Sequence, residues 1–158
     1  MPIFKPTLSY NRITDIAPKH LQKRGITTLL LDVDNTLTEH NSQKVESDVR
    51  EWLKSLKDFG ITALIYSNAK KPRIEPFAKD LGLDFIYSAK KPLKGKFKRT
   101  IKDLGVNREN AAIIGDQIFT DILGGNRAGI TTIFVNLITP ETEWFFKLKR
   151  RFERMILK

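Results

Sequence analysis

Residues 27–33, Thr-Thr-Leu-Leu-Leu-Asp-Val, constrain the fold more than any other stretch of the chain. The run is almost continuously apolar and rich in strand formers. That pattern suits a strand covered on both faces, which is found in parallel sheets flanked by helices. Strand-like runs recur at 61–66, 84–87, 111–114 and 130–135. Helical patterns separate them. Ser42 is placed to cap a helix carrying Val45, Val49, Trp52, Leu53, Leu56 and Phe59, ended by Gly60. Pro72 opens a second helix, through about Leu81, stopped by Gly82. Phe97, Ile101 and Leu104 mark a third before Gly105, and Phe119–Arg127 a short fourth. Residues 1–26 read as a leader in which Asp15, Pro18 and Gly25 mark helix boundaries. The expected architecture is three-layer α/β/α with a mostly parallel, five-stranded sheet. Right-handed crossovers bring the strand ends to one edge, where such sheets bind ligands.

Composition narrows the chemistry. The 158 residues contain no cysteine, which excludes disulfides, thiolate metal sites and a cysteine nucleophile. Two histidines, His20 and His40, are too few for a multi-histidine metal centre. No apolar run reaches the roughly 20 residues of a membrane-spanning helix. The start, Met1-Pro2-Ile3-Phe4-Lys5-Pro6, lacks the pattern of a signal peptide. The reading is a cytoplasmic protein whose net charge of +10 favours anionic partners.

The unusual polar residues fall at the strand ends. The first strand runs into Asp32-Val33-Asp34-Asn35-Thr36-Leu37. Carboxylates are seldom buried unless paired or metal-bound. If extended geometry persists, residues 32 and 34 project toward a common centre and repel each other without a counter-ion. The fourth strand ends at Gly115-Asp116, and Asp121 lies about one helical turn further on. Ser67 and Asn68 end the second strand, and Lys90 and Lys91 follow the third, before Pro92. Taken singly, Asp116 and Asp121 suit a turn acid and a helix-end acid, Ser67-Asn68 a loop start, and Lys90-Lys91 a solvated surface. Taken together they make an oxygen-rich cradle for a hard cation such as Mg²⁺, facing a lysine. That layout is expected for a phosphate ester.

In sequence, Asp32-Val33-Asp34-Asn35-Thr36 resembles the DxDxT signature of haloacid-dehalogenase-like (HAD) phosphatases, with Ser67, Lys91 and Gly115-Asp116 through Asp121 in the order of the family's later motifs. The resemblance covers about residues 27–129. It implies a HAD-like Rossmannoid fold, with Asp32 as nucleophile forming an aspartyl-phosphate and Asp34 as general acid and base. Ser67, Asn68 and Lys91 would bind the phosphoryl group, and Thr36 would steady the loop. Mg²⁺ would be held by Asp32, the backbone carbonyl of Asp34, and Asp116, with Asp121 in support. Many relatives carry a second acid where this chain has Gln117, so Asp121 takes any second acidic role. Spacing alone leaves Lys90 open as an alternative to Lys91.

Positions 35–66 and 68–90 are too short for an inserted cap, so a single capless domain over 1–158 is expected, its core at about 27–138. Asp34-Asn35-Thr36-Leu37, Ala89-Lys90-Lys91-Pro92, the stretch Thr120 to Gly129 and the basic Lys149-Arg150-Arg151-Phe152-Glu153-Arg154 are similar to the YqeG-type group, which is related to phosphatidylglycerophosphate phosphatases. This implies an anionic phospholipid substrate. A helix at about 140–157, capped at Thr139-Pro140, sets Trp144, Leu148, Phe152 and Ile156 on one face, with Phe145 beside it. Lys147, Lys149, Arg150, Arg151, Arg154 and Lys158 crowd the rest. The apolar face can pack on the body or lie on the cytoplasmic face of an anionic membrane, with Phe4, Leu8 and Tyr10 adding to the contact. Two alternatives stay open. One is a phosphatase for a soluble metabolite or a nucleic-acid end, using Arg73, Lys94, Lys96, Lys98 and Arg99. The other is a non-catalytic RNA- or ribosome-associated binding protein.

Overall fold

A computed structural model describes residues 2–136 and 144–157, with side chains from Lys149 onward in the second stretch. Strands β1 (Leu8–Tyr10), β2 (Thr28–Leu31), β3 (Thr62–Tyr66), β4 (Asp84–Ile86), β5 (Ala111–Gly115) and β6 (Thr131–Val135) form one sheet in the order β1-β6-β5-β2-β3-β4. Every pairing is parallel. Leu31 of the central β2 lies opposite Ile65 on one side and Ile114 on the other, so β3 and β5 each end one residue past β2. The strand order reverses between β2 and β5, the crevice where open parallel sheets take ligands.

Side-chain alternation splits the core. Leu29, Leu31, Ile65 and Ile114 join Leu21 of α1 (Pro18–Lys23), Val49 and Trp52 of α2 (Ser47–Ser55), and Ile74 and Phe77 of α3 (Lys71–Leu81). Leu30, Leu64, Tyr66 and Ile113 join Phe97 and Ile101 of α4 (Lys94–Asp103) and Ala128 of α5 (Leu123–Ala128). Leu29, Leu30 and Leu31 are fully buried, each contributing about 1.5–3 kcal/mol. The three-layer reading therefore holds.

Some boundaries differ from expectation. Among the described residues the sheet has six strands, not five, because Leu8–Tyr10 in the leader pairs with β6. Three residues are too short to show a period, and this edge is fixed by contacts 125 positions away, including Thr7 N donating to Thr132 Oγ1. Ser42 caps no helix. Its Oγ accepts from Lys44 N while Thr38 Oγ1 donates to the Lys44 carbonyl, holding 38–44 as a loop until α2 begins at Ser47. Gly82 stops α3 at φ +66°, where a Cβ is strained. The expected helix over 119–127 is a widened π-helical turn, Ile118–Ile122, followed by α5.

The largest departure is α6 (Trp144–Leu157). Its inward residues are Arg150, Glu153 and Leu157, while Phe152, Met155 and Ile156 stand 52%, 65% and 38% exposed. Leu157 packs against Ile118, Ile122 and Phe134, as does Phe4. Of the two placements open for the apolar face, packing on the body does not hold at Phe152 and Ile156, which turn outward, and Arg150, expected on the charged side, is buried. The cause is polar complementarity: the segment after β5 offers a carboxylate, a carbonyl and free N–H groups that charged side chains satisfy. The start at Thr139-Pro140, the side chains of Trp144, Phe145, Lys147 and Leu148, and Lys158 lie outside the described residues. The leader's apolar groups serve the fold as well, since Leu8 and Tyr10 pack on the first core and Phe4 meets Phe119 edge-on.

Candidate active site

The site forms where β2, β5 and β3 end. Asp32 directly follows β2, and Lys91 Nζ donates to its Oδ1 at 3.0 Å, to Asp121 Oδ1 at 2.6 Å and to the Tyr66 carbonyl at 3.0 Å. Those acceptors use all three ammonium donors. Lys90 is exposed, with φ +57°, so Lys91 is the lysine that reaches the acids. Asn68 spends its amide on Lys91: Oδ1 accepts from Lys91 N at 2.7 Å and Nδ2 donates to its carbonyl at 3.1 Å. Asn68 thus fixes the lysine's backbone instead of facing outward. Ser67 is buried, its Oγ accepting from Ala69 N at 3.1 Å, which leaves its own proton to give. Thr36 Oγ1 lies 3.5 Å from Asp32 Oδ2.

Asp116 and Asp121 are fully buried. The π-helical turn carries Asp121 back over β5, and Gln117 N donates to its Oδ2 at 3.2 Å. A Cβ on Gly115 would stand 2.1 Å from Asp121 Oδ2, so only glycine admits this approach. Asp32, Asp116 and Asp121 each present an oxygen, all within 4.8 Å of one another. Burial, then the charge of Asp32, push Asp121 up to about 6, against the pull of Lys91. The same two causes hold Asp116 well above the usual carboxylate range, with Arg150 opposing. Burial disfavours the Lys91 ammonium, but Asp121 and Asp32 outweigh it and keep Lys91 above its ordinary value. Three crowded carboxylates carry more negative charge than Lys91 and Arg150 cancel. Asp116 Oδ1 is buried with no hydrogen-bond donor. This all-oxygen donor set fits a hard divalent cation.

Asp34 departs from expectation. Its carboxylate is not in the cluster; Oδ1 accepts from Asn41 N at 2.7 Å and from Arg73 at 3.0 Å, with His40 Nδ1 4.0 Å away. Extended geometry ends at Leu31, and the chain folds into a turn in which the Val33 carbonyl accepts from Thr36, Leu37 and Thr38 N. Alternation therefore no longer aligns 32 with 34. Arg73 also donates to the Ser42 carbonyl at 2.6 Å and lies over Phe77, so it belongs to Asp34 and not to a basic stripe along α4.

Sequence reasoning did not find Arg150 as a site neighbour. Its guanidinium meets Asp116 Oδ2 at 2.5 Å and donates to the Asp116 carbonyl, while Glu153 Oε2 accepts from it at 3.2 Å. Glu153 Oε1 accepts from Ile118 N at 2.9 Å, and Lys149 donates to Gln117 Oε1 at 2.9 Å. The available signal was an opposite-charge pair three positions apart, a spacing that places both on one helix face.

Residues 15–129 match the haloacid dehalogenase-like hydrolase family. The chain belongs to that family. It is 35% identical over 98% of its length to the "Probable phosphatase YqeG" of Bacillus subtilis strain 168, covering 90% of that protein. It is 25% identical to the chloroplastic/mitochondrial phosphatidylglycerophosphate phosphatase 1 of Arabidopsis thaliana, matching over 97% of this chain but spanning only 47% of that relative. Among solved structures it is similar to the cobalt-bound deoxy-D-mannose-octulosonate 8-phosphate phosphatase of Haemophilus influenzae, at 21% identity and a TM-score of 0.55, covering 85% of this chain and 89% of that one. That likeness is one of fold. This chain is a HAD-type phosphatase of the YqeG-type group.

Proposed function

We propose that the chain hydrolyses a phosphate monoester through an aspartyl-phosphate on Asp32, and that its substrate is phosphatidylglycerophosphate. The observation that carries the catalytic reading is Asp32 beside Lys91 within a cluster of three carboxylates at the strand ends. Lys91 cancels part of the charge that otherwise repels an anionic substrate, and it does so with its donors already engaged. Asp32 attacks phosphorus, and the bond from phosphorus to the ester oxygen breaks. Asp34, through the Oδ2 not held by Arg73 or Asn41, gives its proton to the departing alcohol. It then takes one from the water that attacks the phospho-Asp32, releasing inorganic phosphate and restoring both carboxyl groups. Ser67 donates to a phosphoryl oxygen. Asn68 acts by holding the Lys91 backbone. Asp32, Asp116 and Asp121, with the Asp34 carbonyl, would hold a divalent cation of the Mg²⁺ class, which would supply positive charge to the transferring phosphoryl group.

The names of the relatives and the outer face of α6 support the lipid. Phe152, Met155 and Ile156 are exposed there among the exposed Arg151 and Arg154, a pairing of apolar and basic groups suited to the surface of an anionic bilayer. Among the described residues no helix is long and apolar enough to cross a membrane. The test is phosphate release from phosphatidylglycerophosphate in mixed vesicles, from sugar phosphates and from DNA 3′-phosphate ends, with Asp32→Asn as control. Selective turnover of the lipid, lost in the variant, is expected. Rapid turnover of a soluble ester with the lipid intact removes the substrate assignment. Equal release by wild type and Asp32→Asn removes the mechanism.

A further inference from the structure

We propose that Arg150 is a positioning residue of the metal site, which makes α6 a working part of the centre. The inference rests on the metal reading above and goes beyond it. Arg150 spans two acceptors of one residue, the side-chain Oδ2 and the main-chain carbonyl of Asp116. Occupying both fixes the rotation of the carboxylate, and it leaves Oδ1 buried with no donor. A buried carboxylate oxygen without a donor is unfavourable unless a cation takes it. The guanidinium therefore sorts the two oxygens: one belongs to the helix, the other is kept for the ion.

Charge fits the same division. Asp32, Asp116, Asp121 and Glu153 against Lys91 and Arg150 leave a formal excess of two negative charges if all six ionise. A divalent ion cancels that excess, so an anionic phosphate no longer meets a net negative site. The arginine is itself held. Glu153 binds it and also accepts from Ile118 N at 2.9 Å and Phe119 N at 3.4 Å, so the segment that follows Asp116 is fastened to the helix that supplies Arg150. A lysine at 150 cannot span both acceptors, because its ammonium is a point donor and not a planar fork.

The experiment is Mn²⁺ binding to the full-length, substrate-free chain, followed by electron paramagnetic resonance for wild type, Arg150→Met and Arg150→Lys, with circular dichroism to confirm folding. Loss of a group that orients a metal ligand weakens affinity about 10–100-fold. Arg150→Met should fall in that range and Arg150→Lys between it and wild type. The KM for the phosphate ester at saturating metal should stay near wild type. Folded Arg150→Met that binds Mn²⁺ within about twofold of wild type overturns the inference. If Arg150→Met does not fold, Arg150→Lys decides by the same criterion. Wild type without Mn²⁺ binding overturns the metal reading itself. Arginine-dependent binding without phosphate release leaves this inference standing and removes only the catalytic one.

Discussion

The inner and outer halves of the site hold their acids in different surroundings. Inside, Asp32, Asp116 and Asp121 share a dry space with Lys91, and the Asp32 side chain is 12% exposed. Outside, the Asp34 side chain is 22% exposed and rests on a loop, tied to Arg73 and Asn41. The inner half suits carboxylates gathered around a cation, with the proposed nucleophile Asp32 among them. The outer half suits a proton that comes and goes, because water can reach it. One residue of sequence separates Asp32 from Asp34, so the turn at Val33 creates the difference, not the composition.

The contrast can be broken most severely at Lys91. In Lys91→Met the inner acids lose their internal cation, and burial leaves Asp32 and Asp121 uncompensated. The expected outcome is a loss of about 3–5 kcal/mol in urea unfolding together with loss of phosphatase activity. A variant of near wild-type stability shows that the inner acids are not held as charges. Asp34→Asn should behave in the opposite way. Its kcat falls about 10²–10⁴-fold while the unfolding midpoint barely moves. A large stability loss there would mean that the outer half is structural. Arg73→Ala comes next, with roughly a tenfold drop in kcat as Asp34 loses its orientation and little change in KM. Equal effects on kcat and KM would make Arg73 a substrate contact instead.

The smallest effect concerns the support beneath Lys91. Burial pushes the Tyr66 phenol up to about 12, against weaker opposing pulls from Thr100 and Lys91. In the unfolded chain a tyrosine ionises near 10. Its contribution is therefore fully present below about pH 10 and is lost as pH rises toward 12. Tyr66→Phe should flatten the alkaline limb of a stability–pH curve and raise the pH of half-unfolding. An unchanged alkaline limb would assign that unfolding to another group.

Periodicity and turn residues made much of this legible. The apolar run at 27–33 announced the central strand, and Gly82 announced the end of α3 where it occurs. The acids and the lysine at strand ends could be read because parallel crossovers deliver those ends to one edge. What escaped depended on contacts far apart in sequence. The Asp34 carboxylate follows a hydrogen-bonded turn that alternation does not describe. Asn68 looked like a phosphate contact because its neighbour is Ser67, but its amide matches the Lys91 backbone 23 positions on. Helix α6 was only half legible because amphipathicity names an apolar face without saying what waits on the body; here it was a carboxylate and open N–H groups, so Arg150 and Glu153 turned inward while Arg151 and Arg154 stayed out.

The partnership of β1 with β6 has a consequence for synthesis. Leu8 leaves the ribosome 125 residues before Ile133, the position opposite it in the sheet. At about 5–20 residues per second that interval lasts roughly 6–25 s. Among the described strands, β1 thus precedes its neighbour β6 by the longest interval. While translation continues it waits as an open edge, and the three-residue length of β1 keeps that edge small.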